Sequence, residues 1–221
     1  MELAPGCPAE DVAKWLETED RAKLSVFLRE RHEARFFSPI KYLRNAPNTS
    51  DGYGFSMMAL CCLLVETIEC YREGMPTTSG SEWRELVSVQ DNELVPVNYR
   101  LGQKLPKNGL QVFMEFFADF RASFPNVDGV DFYRNIRNGL LHQAQTKDGW
   151  TIDTLGSVVY EPAPKKHINR NLFAQALSET FDRYIEDLTG KQWNDPEWKN
   201  ASKKVWWLIR ISRDMGPGVF R

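Results

Sequence analysis

The sequence predicts a mainly α-helical protein with one small β-hairpin, and three observations carry that prediction. Apolar residues recur at helical spacing along most of the 221-residue chain. Asp, Asn, Gly and Pro stand where those segments begin and end. Only one stretch, after residue 149, alternates like two short strands around a turn. The length suits one domain with appendages, and 42% hydrophobic residues exclude wholesale disorder.

The N-terminal part predicts helices followed by a loop. Apolar residues at helical spacing predict helices over 8–35, and Asp20 is placed to cap the second of them. A stretch rich in Pro, Asn and Gly predicts a loop over 38–54. The strongest helix follows at 54–73, and its first half is apolar nearly all round, which is typical of a buried central helix.

The rest of the chain predicts one irregular insert and four further helices. The insert, 75–109, contains extended fragments broken by prolines, and SEWRELV within it predicts a helical turn capped by Ser81. A hairpin is predicted to pair 150–152 with 158–160. The predicted helices are 110–124, 132–145, one that Asn169 or Asn171 caps and that runs to 188, and 196–213.

These elements suggest three segments. Residues 1–54 supply helices and a loop that pack on the core, 55–190 form the helical core with its insert, and 191–221 form a basic, Trp-rich C-terminal helix. No internal repeat is visible. The net charge of −2 excludes a uniformly basic nucleic-acid-binding protein but leaves room for a local basic patch.

Signals for metal, cofactor and membrane are weak. The four cysteines form no CxxC pair, and three of them lie in an apolar helix, so we expect neither a disulfide framework nor a zinc site. No Walker loop, GxGxxG or HExxH motif predicts a cofactor. The longest apolar run, 55–65, is too short to span a bilayer. We therefore expect a cytoplasmic protein without cofactor, metal or membrane.

One motif carries residues suited to chemistry, within the segment FYRNIRNGLLHQ. Asn138 and His142 are four apart and share a face of the predicted helix. Arg137 and His142 are five apart, which is about 140° around an ideal helix. The two side chains meet if the long Arg side chain extends to His142, if the helix bends at Gly139, or if a second copy of the helix supplies the partner.

These residue types suit RNA cleavage without metal. Arginine offers a planar fork of donors for phosphate, and histidine can act as acid and base. An amide one turn from a histidine can orient its ring. A His base takes the 2′-OH proton, that oxygen attacks phosphorus, and Arg stabilises the added negative charge. The products would be a 2′,3′-cyclic phosphate and a 5′-OH, which DNA cannot form.

At Arg137, Asn138 and His142 the chain resembles the HEPN superfamily (higher eukaryotes and prokaryotes nucleotide-binding). That family's signature is Arg followed by a polar residue and then His, with four to six residues from Arg to His. The resemblance extends over roughly 55–190: a helix with LLVETIECYREG, the motif helix, a hairpin after Gly-Trp, and an Asn-capped helix. This order is similar to a prokaryotic branch found among defence and toxin-like genes.

The resemblance implies a HEPN-like helical bundle and a metal-independent endoribonuclease. It implies a homodimer through the motif helices, with Arg137 and His142 of both copies in a composite site. It further implies RNA as substrate, an antitoxin or other protein as a possible partner, and a toxin-like or antiviral role. Some family members orient the Arg with an acidic residue, and Glu66 is the candidate for that role. With equal weight, Glu66 could instead be part of an exposed ion pair of the kind that Glu69 and Arg72 could form.

Other readings of the motif stay open. Arg137 and His142 could each have a structural role, as a member of a surface ion pair or as a hydrogen-bonded core histidine. Alternatively, the fold could bind RNA, a nucleotide or a protein without cleaving it. A plain helical interaction domain is a further alternative. Arg134, one turn before Arg137, is either a phosphate contact or a salt-bridge partner. The enzyme assignment therefore depends mainly on His142.

Two basic stretches could attract RNA phosphates. One surrounds His167, and the other lies in 199–221, which has six basic residues and one acid beside two tryptophans. The candidates are Lys165, Lys166, Arg170, Lys203 and Lys204. The alternatives are a solvated loop for the first stretch and packing of Trp206 and Trp207 for the second, and packing is favoured. His32, among charged neighbours, is expected on a solvated helix face.

Overall fold

The computed structural model describes residues 1–45, 53–78, 87–90, 93–96 and 107–214, and its fold is mainly α-helical, as predicted. The helices are α1 (Ala9–Glu17), α2 (Arg21–His32), α3 (Ser38–Asn45), α4 (Tyr53–Glu73), α5 (Gly109–Asp119), α6 (Gly129–Asp131), α7 (Asn138–Gln143), α8 (Arg170–Gly190) and α9 (Pro196–Asp214). The strands are β1 (Glu2–Ala4), β2 (Cys7–Pro8), β3 (Val87–Gln90), β4 (Glu93–Pro96), β5 (Thr151–Asp153), β6 (Tyr160–Glu161) and β7 (His167–Asn169). Buried side chains from Leu3 to Ile209 form one cluster, so the three predicted segments share a core.

The N-terminal helices begin as the sequence indicates but continue further. The Asp20 carboxylate accepts the Lys23 backbone N–H at 3.1 Å and caps α2. The prediction of a loop from residue 38 is wrong over Ser38–Asn45, because a π-helical segment (Glu33–Phe37) leads from α2 directly into α3. Pro39 follows this segment directly, and Ile40 is buried.

The central helix is α4, which packs against α3, α5, α8 and α9. Met57, Met58, Cys61 and Cys62 are fully buried, as the apolar first half predicts. Among the described residues, α4 is the one helix long and apolar enough to cross a membrane, and 56% of the qualifying window is buried inside the protein. Core helices of soluble proteins meet the same criterion, so this property is weak support for a membrane span.

Two short strands lie within the predicted insert. β3 and β4 pair antiparallel, with Val87 opposite Pro96 and Gln90 opposite Glu93. The extended fragments read from the sequence here thus form a hairpin. The predicted helical turn capped by Ser81 lies outside the described residues.

The motif helix packs on an aromatic cluster. Asn108 and Gln111 form a capping box that starts α5, which ends at Asp119, earlier than predicted. A second π-helical segment (Phe132–Arg137) joins α6 to α7, so these three pieces form one continuous helical stretch. The rings that pack between α5, this stretch and α8 belong to Phe113, Phe116, Phe117, Phe124, Phe132 and Phe173.

The strands after the motif form a three-stranded sheet, and the predicted hairpin between 150–152 and 158–160 is wrong. β7 lies in the middle, parallel to β5 and antiparallel to β6. Asn169 explains the difference, because its side-chain amide donates to the carbonyl oxygens of Thr154, Leu155 and Gly156. These bonds hold the turn against the start of α8 instead of letting its two flanks pair.

The two C-terminal helices complete the core. The Asn169 side chain also accepts the N–H groups of Asn171 and Leu172, so it is Asn169 that caps α8. On α9, Trp198 is 1% exposed and Trp207 packs partly against the core, whereas Trp206 is 40% exposed. Trp207 is therefore a packing residue, as favoured above.

Candidate functional site

Arg137 of the motif is held by an acidic residue from the central helix. Its Nε donates to one oxygen of Glu66 at 2.9 Å, and its Nη2 lies 2.8 Å from the same oxygen as an ion pair. Its Nη1 donates to the Asn138 side-chain oxygen at 3.1 Å. The side chains of Arg137 and Glu66 are 17% and 12% exposed, so the pair is largely shielded from water. Three of the five N–H donors of the guanidinium are thus engaged, and two remain.

The second oxygen of Glu66 is also engaged. It accepts the Thr78 hydroxyl at 3.0 Å, so both carboxylate oxygens have partners. The Cys62 thiol lies one turn earlier on α4, where burial raises its pKa well above the usual value. Cys62 therefore stays a neutral packing residue behind the ion pair.

The aromatic ring of Tyr133 packs against the Arg137 guanidinium. The guanidinium carbon of Arg137 lies 5.4 Å from the centre of the Tyr133 ring, a cation–π arrangement. The ring packs on Gly109 at the start of α5, where an added Cβ would lie 2.8 Å from the Tyr133 hydroxyl. Gly109 thus makes room for Tyr133, and α5 fixes the ring on which Arg137 rests.

The backbone at the motif departs from a regular α-helix. The N–H of Asn138 donates to the carbonyl of Tyr133, five residues earlier, which is the π-helical pattern. Such single π turns are common at functional sites. The wider turn changes the angular spacing of side chains around Arg137, so the estimate of about 140° for an ideal helix does not transfer directly.

His142 lies apart from Arg137 in this chain. It is exposed in the last turn of α7, and its side chain makes no hydrogen bond, ion pair or ring contact with another described residue. Arg134 is likewise exposed and has no such contact within the described part of the chain. The structure therefore brings together Glu66, Arg137 and Asn138 and leaves Arg134 and His142 free on the same helical stretch.

A close backbone approach ends the motif helix. Ala144 adopts a left-handed conformation with φ of 53°, and the chain then folds back over Gly139. A Cβ on Gly139 would collide with the Gln145 carbonyl oxygen and lie 3.2 Å from the Cα of Thr146. Glycine is thus required inside the motif, and this contact fixes the end of the helix that presents His142.

The basic residues proposed to bind RNA divide into two groups. Lys203 is exposed, whereas Lys165 and Lys166 pair with Glu161 at 3.1 Å and Asp148 at 2.5 Å. These three lysines remain near the surface and can meet a phosphate.

For Arg170 and Lys204, the expectation of a surface role is wrong. Both are buried, at 7% and 8% exposure. The Arg170 guanidinium lies against the backbone of α4 at Gly54, where it fills the space a Cβ would take. The Lys204 ammonium donates to the Pro76 carbonyl and lies 4.5 Å from the Trp207 ring centre. Arg170 is a packing residue, and Lys204 is a shielded cation bonded to a backbone carbonyl.

The other two histidines also differ from expectation. His32 is 1% exposed, not solvated, and burial lowers its pKa to about 3. His167 starts β7 rather than lying in a loop, and its Nε2 lies 2.6 Å from Asp153. Burial opposes the charge of Asp153, but hydrogen bonds from His167 and the Leu155 N–H hold its pKa below the usual range. Of the three histidines, His142 alone is exposed.

Sequence reasoning missed two supports of the site. Tyr133 lies four residues before Arg137, a helical spacing that predicts contact, but it is not part of the motif. Thr78 carried no signal, because it lies 12 residues beyond Glu66 across the end of α4. No three His, Cys, Asp or Glu side chains lie close enough to hold a metal ion within the described ranges.

Comparisons with known proteins found no relative of this chain. No family model, curated protein or solved structure matches this chain. The resemblance to HEPN proteins therefore depends on the motif and the order of elements alone.

Proposed function

We propose that this chain is a metal-independent endoribonuclease that cleaves RNA by 2′-OH transesterification. The observation that carries the proposal is the fixed Glu66–Arg137–Asn138 group with an exposed histidine, His142, on the same helical stretch. A guanidinium held in place and a free imidazole are the two groups that this reaction needs in the absence of metal.

Arg137 is the phosphate clamp in this proposal. Glu66 and Asn138 engage three of its N–H donors, and the remaining two can reach phosphate oxygens. Because Glu66 and Tyr133 hold the guanidinium in advance, little side-chain entropy is lost when phosphate binds. Asn138 then orients Arg137, whereas we first expected it to orient His142.

His142 is the acid/base residue. As base it accepts the proton of the 2′-OH, whose oxygen attacks the adjacent phosphorus while the bond from phosphorus to the 5′-oxygen breaks. The leaving 5′-oxygen takes a proton from a protonated histidine, so the products are a 2′,3′-cyclic phosphate and a 5′-OH. Arg134, exposed one turn before Arg137, is placed to contact a neighbouring phosphate.

A homodimer supplies the second proton carrier. His142 and Arg137 do not touch within one chain, so a site in which two motif helices face each other would provide both groups to one phosphate. In that arrangement one His142 is the base and the partner subunit's His142 is the acid. The basic surface residues Lys165, Lys166 and Lys203 could extend the contact with RNA.

The biological role follows from the family resemblance. A toxin-like or antiviral ribonuclease acts on cellular RNA, so a cytoplasmic location and control by an antitoxin or another protein partner complete the proposal. These points depend on the resemblance and not on a contact in the structure.

The decisive experiment is RNA cleavage in EDTA. We expect the protein to cleave transfer RNA or total RNA in EDTA and to leave cyclic phosphate and 5′-OH ends. Arg137→Ala and His142→Ala should each abolish cleavage while the circular dichroism spectrum and the molecular mass in solution stay unchanged. The control is Arg121→Ala, which removes an exposed arginine away from the motif and should cleave normally.

Cleavage that survives both motif substitutions in EDTA would disprove the mechanism. A monomeric mass for the active protein would disprove the composite site but not the role of Arg137. Substrates with a single deoxyribose at the scissile position must resist cleavage, because they lack the attacking oxygen.

A second candidate is a non-catalytic module that binds RNA, a nucleotide or a protein. The shielded Glu66–Arg137 ion pair favours this candidate, since a salt bridge with a purely structural role would have the same geometry. This alternative requires binding without turnover on any RNA, and Arg137→Ala would then weaken binding or stability only.

A further inference from the structure

A second cationic cluster lies far along the chain from the motif. Arg31 near the end of α2 and Arg35 in the following π-helical segment both donate to the carbonyl oxygen of Leu3 in β1, Arg35 at 3.4 Å. Two guanidinium groups therefore converge on one neutral acceptor. Four of the five N–H donors of Arg35 remain for another partner, and at least three remain at Arg31, which also lies against the Tyr71 hydroxyl.

Lys204 of α9 adds a third positive charge. It is 8% exposed, and burial together with the charge of Arg31 lowers the pKa of its ammonium. Burial, and less strongly the charge of Arg35, likewise lower the pKa of Arg31, whereas Tyr71 acts in the opposite direction. Arg31 and Lys204 are thus each destabilised by burial and by a neighbouring cation, which is a cost that a bound anion would remove.

The cluster differs from three shielded cations that pair with carboxylates. Arg72 pairs with Glu69 and Asp119, Arg137 pairs with Glu66, and Lys107 pairs with Glu73 and Glu115. Within the described residues, no carboxylate forms an ion pair with the cluster. Its members, Arg31, Arg35 and Lys204, donate instead to backbone carbonyls, and Arg31 also lies against the Tyr71 hydroxyl.

Two buried polar atoms accompany the cations. The Nε2 atom of His32 and the hydroxyl of Tyr71 have no hydrogen-bond partner in the described structure, and their rings lie 5.3 Å apart. Both side chains are almost fully buried and feel the charges of Arg31 and Arg35. The Tyr71 hydroxyl, which faces the Arg31 guanidinium, can donate to an oxygen-rich anion there. The His32 Nε2 is an acceptor, because Nδ1 carries the proton that is donated to the Leu28 carbonyl.

We propose that Arg31 and Arg35, with Lys204 behind them, bind a small phosphate-bearing anion at the junction of β1, α2 and α9. Planar guanidinium forks match phosphate oxygens in bidentate geometry. Arg35 is exposed, whereas Arg31 is half-buried and Lys204 is buried, so these two supply charge in a more shielded setting. Inorganic phosphate and the phosphate group of a nucleotide share this chemistry.

The test is binding by the full chain in calorimetric titrations with inorganic phosphate and, separately, with ATP in EDTA. Sodium chloride at equal ionic strength serves as the blank. We expect both anions to bind and to raise the melting temperature beyond chloride. Arg35→Gln should weaken binding at least about tenfold, because a bidentate, charge-assisted contact is lost. If ATP alone binds, the site requires a nucleotide rather than free phosphate, and the proposal holds in that narrower form.

The matched control is Arg29→Gln, which removes an exposed arginine of the same helix that pairs with Asp182. It should bind phosphate like the unmodified chain. Equal binding by the Arg35→Gln chain, or no binding of either anion, would overturn the proposal. Loss of RNA binding without loss of phosphate binding in Arg35→Gln would also overturn it, because the cluster would then contact an RNA strand. Binding that persists in Arg137→Ala keeps this site separate from the proposed ribonuclease site.

Discussion

Glu66 and Arg137, 71 residues apart, form an ion pair in which two guanidinium nitrogens approach one carboxylate oxygen. The contact links the second half of α4 to the junction between the π-helical segment and α7. It therefore fixes where the motif helix lies on the core. It also fixes the direction in which the two unused N–H groups of Arg137 point.

The first prediction concerns Glu66→Gln. The amide keeps an acceptor of similar shape but loses the charge, so Arg137 becomes a shielded cation with a weaker partner. We expect the free energy of unfolding to fall by about 1–3 kcal/mol. If Arg137 is the phosphate clamp, kcat for RNA cleavage should fall about tenfold while the KM changes less.

The control for Glu66→Gln is Glu186→Gln, the same chemical change at an exposed position on α8. It should change neither stability nor cleavage. If Glu66→Gln loses stability but cleaves normally, Glu66 supports the fold and does not orient the clamp.

A second prediction concerns Gly139→Ala. The new methyl group would collide with the Gln145 carbonyl oxygen, a backbone atom that cannot rotate away. We expect a loss of about 1–3 kcal/mol in the free energy of unfolding, as for overpacked sites. Displacement of the end of α7 should also reduce cleavage, because it moves His142.

Gly190→Ala is the matched control for Gly139→Ala. Gly190 ends α8, and no atom lies within 4 Å of an added Cβ there. Alanine at that position should be neutral or stabilise by up to about 1 kcal/mol. Equal effects of the two substitutions in urea unfolding would contradict the steric argument.

Local signals in the sequence predicted the helices well, because caps and periodicity act over a few residues. Asp20 and Asn169 are examples, since each bonds N–H groups two or three positions ahead. Pairing between distant segments had no comparable signal. β5 finds its partner in β7, 14 residues beyond its own end, so the nearer segment was wrongly chosen.

His32 shows how a usable signal was overlooked. Its charged neighbours in RERHEARFF suggested a solvated face. Its spacing of four and eight from Leu28 and Leu24, both buried, places it on the core side of α2. For the site, the motif identified Arg137 and Asn138, whereas the contact with Glu66 was only one of two alternatives. Such contacts depend on packing between segments that are distant along the chain, and a single sequence does not reveal that packing.

The third prediction separates the two roles of Asn169. Its side-chain oxygen caps α8, and its amide nitrogen holds three carbonyl groups of the preceding turn. Asn169→Ala should lose both roles and at least about 1–2 kcal/mol of stability. Asn169→Asp keeps the cap but places negative charge against the three carbonyl oxygens.

Hydrogen exchange distinguishes these two variants. In Asn169→Asp we expect the first turn of α8 to stay protected while the turn at Leu155 opens. Both regions should open in Asn169→Ala. Loss of protection in α8 alone would show that the turn is held by other contacts.

The last prediction concerns the acid stability of the fold. Burial lowers the pKa of His32 to about 3 in the folded chain, whereas an unfolded histidine titrates near 6.5. Between these values the unfolded chain binds a proton that the folded chain excludes. The free energy of unfolding therefore falls as the pH drops from about 6.5 towards 3, by up to about 1.4 kcal/mol per pH unit from this residue. Above pH 7 His32 adds no pH dependence.

His32→Phe and His32→Leu test this origin, because neither side chain titrates. The surrounding rings of Phe36, Tyr71 and Phe181 can accept an apolar replacement, although the stability at pH 7.5 will shift with packing. The slope is the informative quantity, measured by urea unfolding from pH 7.5 to 4. Carboxylates contribute equally to all three proteins, so both variants should lose the same part of the slope. An unchanged slope would mean that His32 becomes protonated without unfolding, for example through local opening of α2.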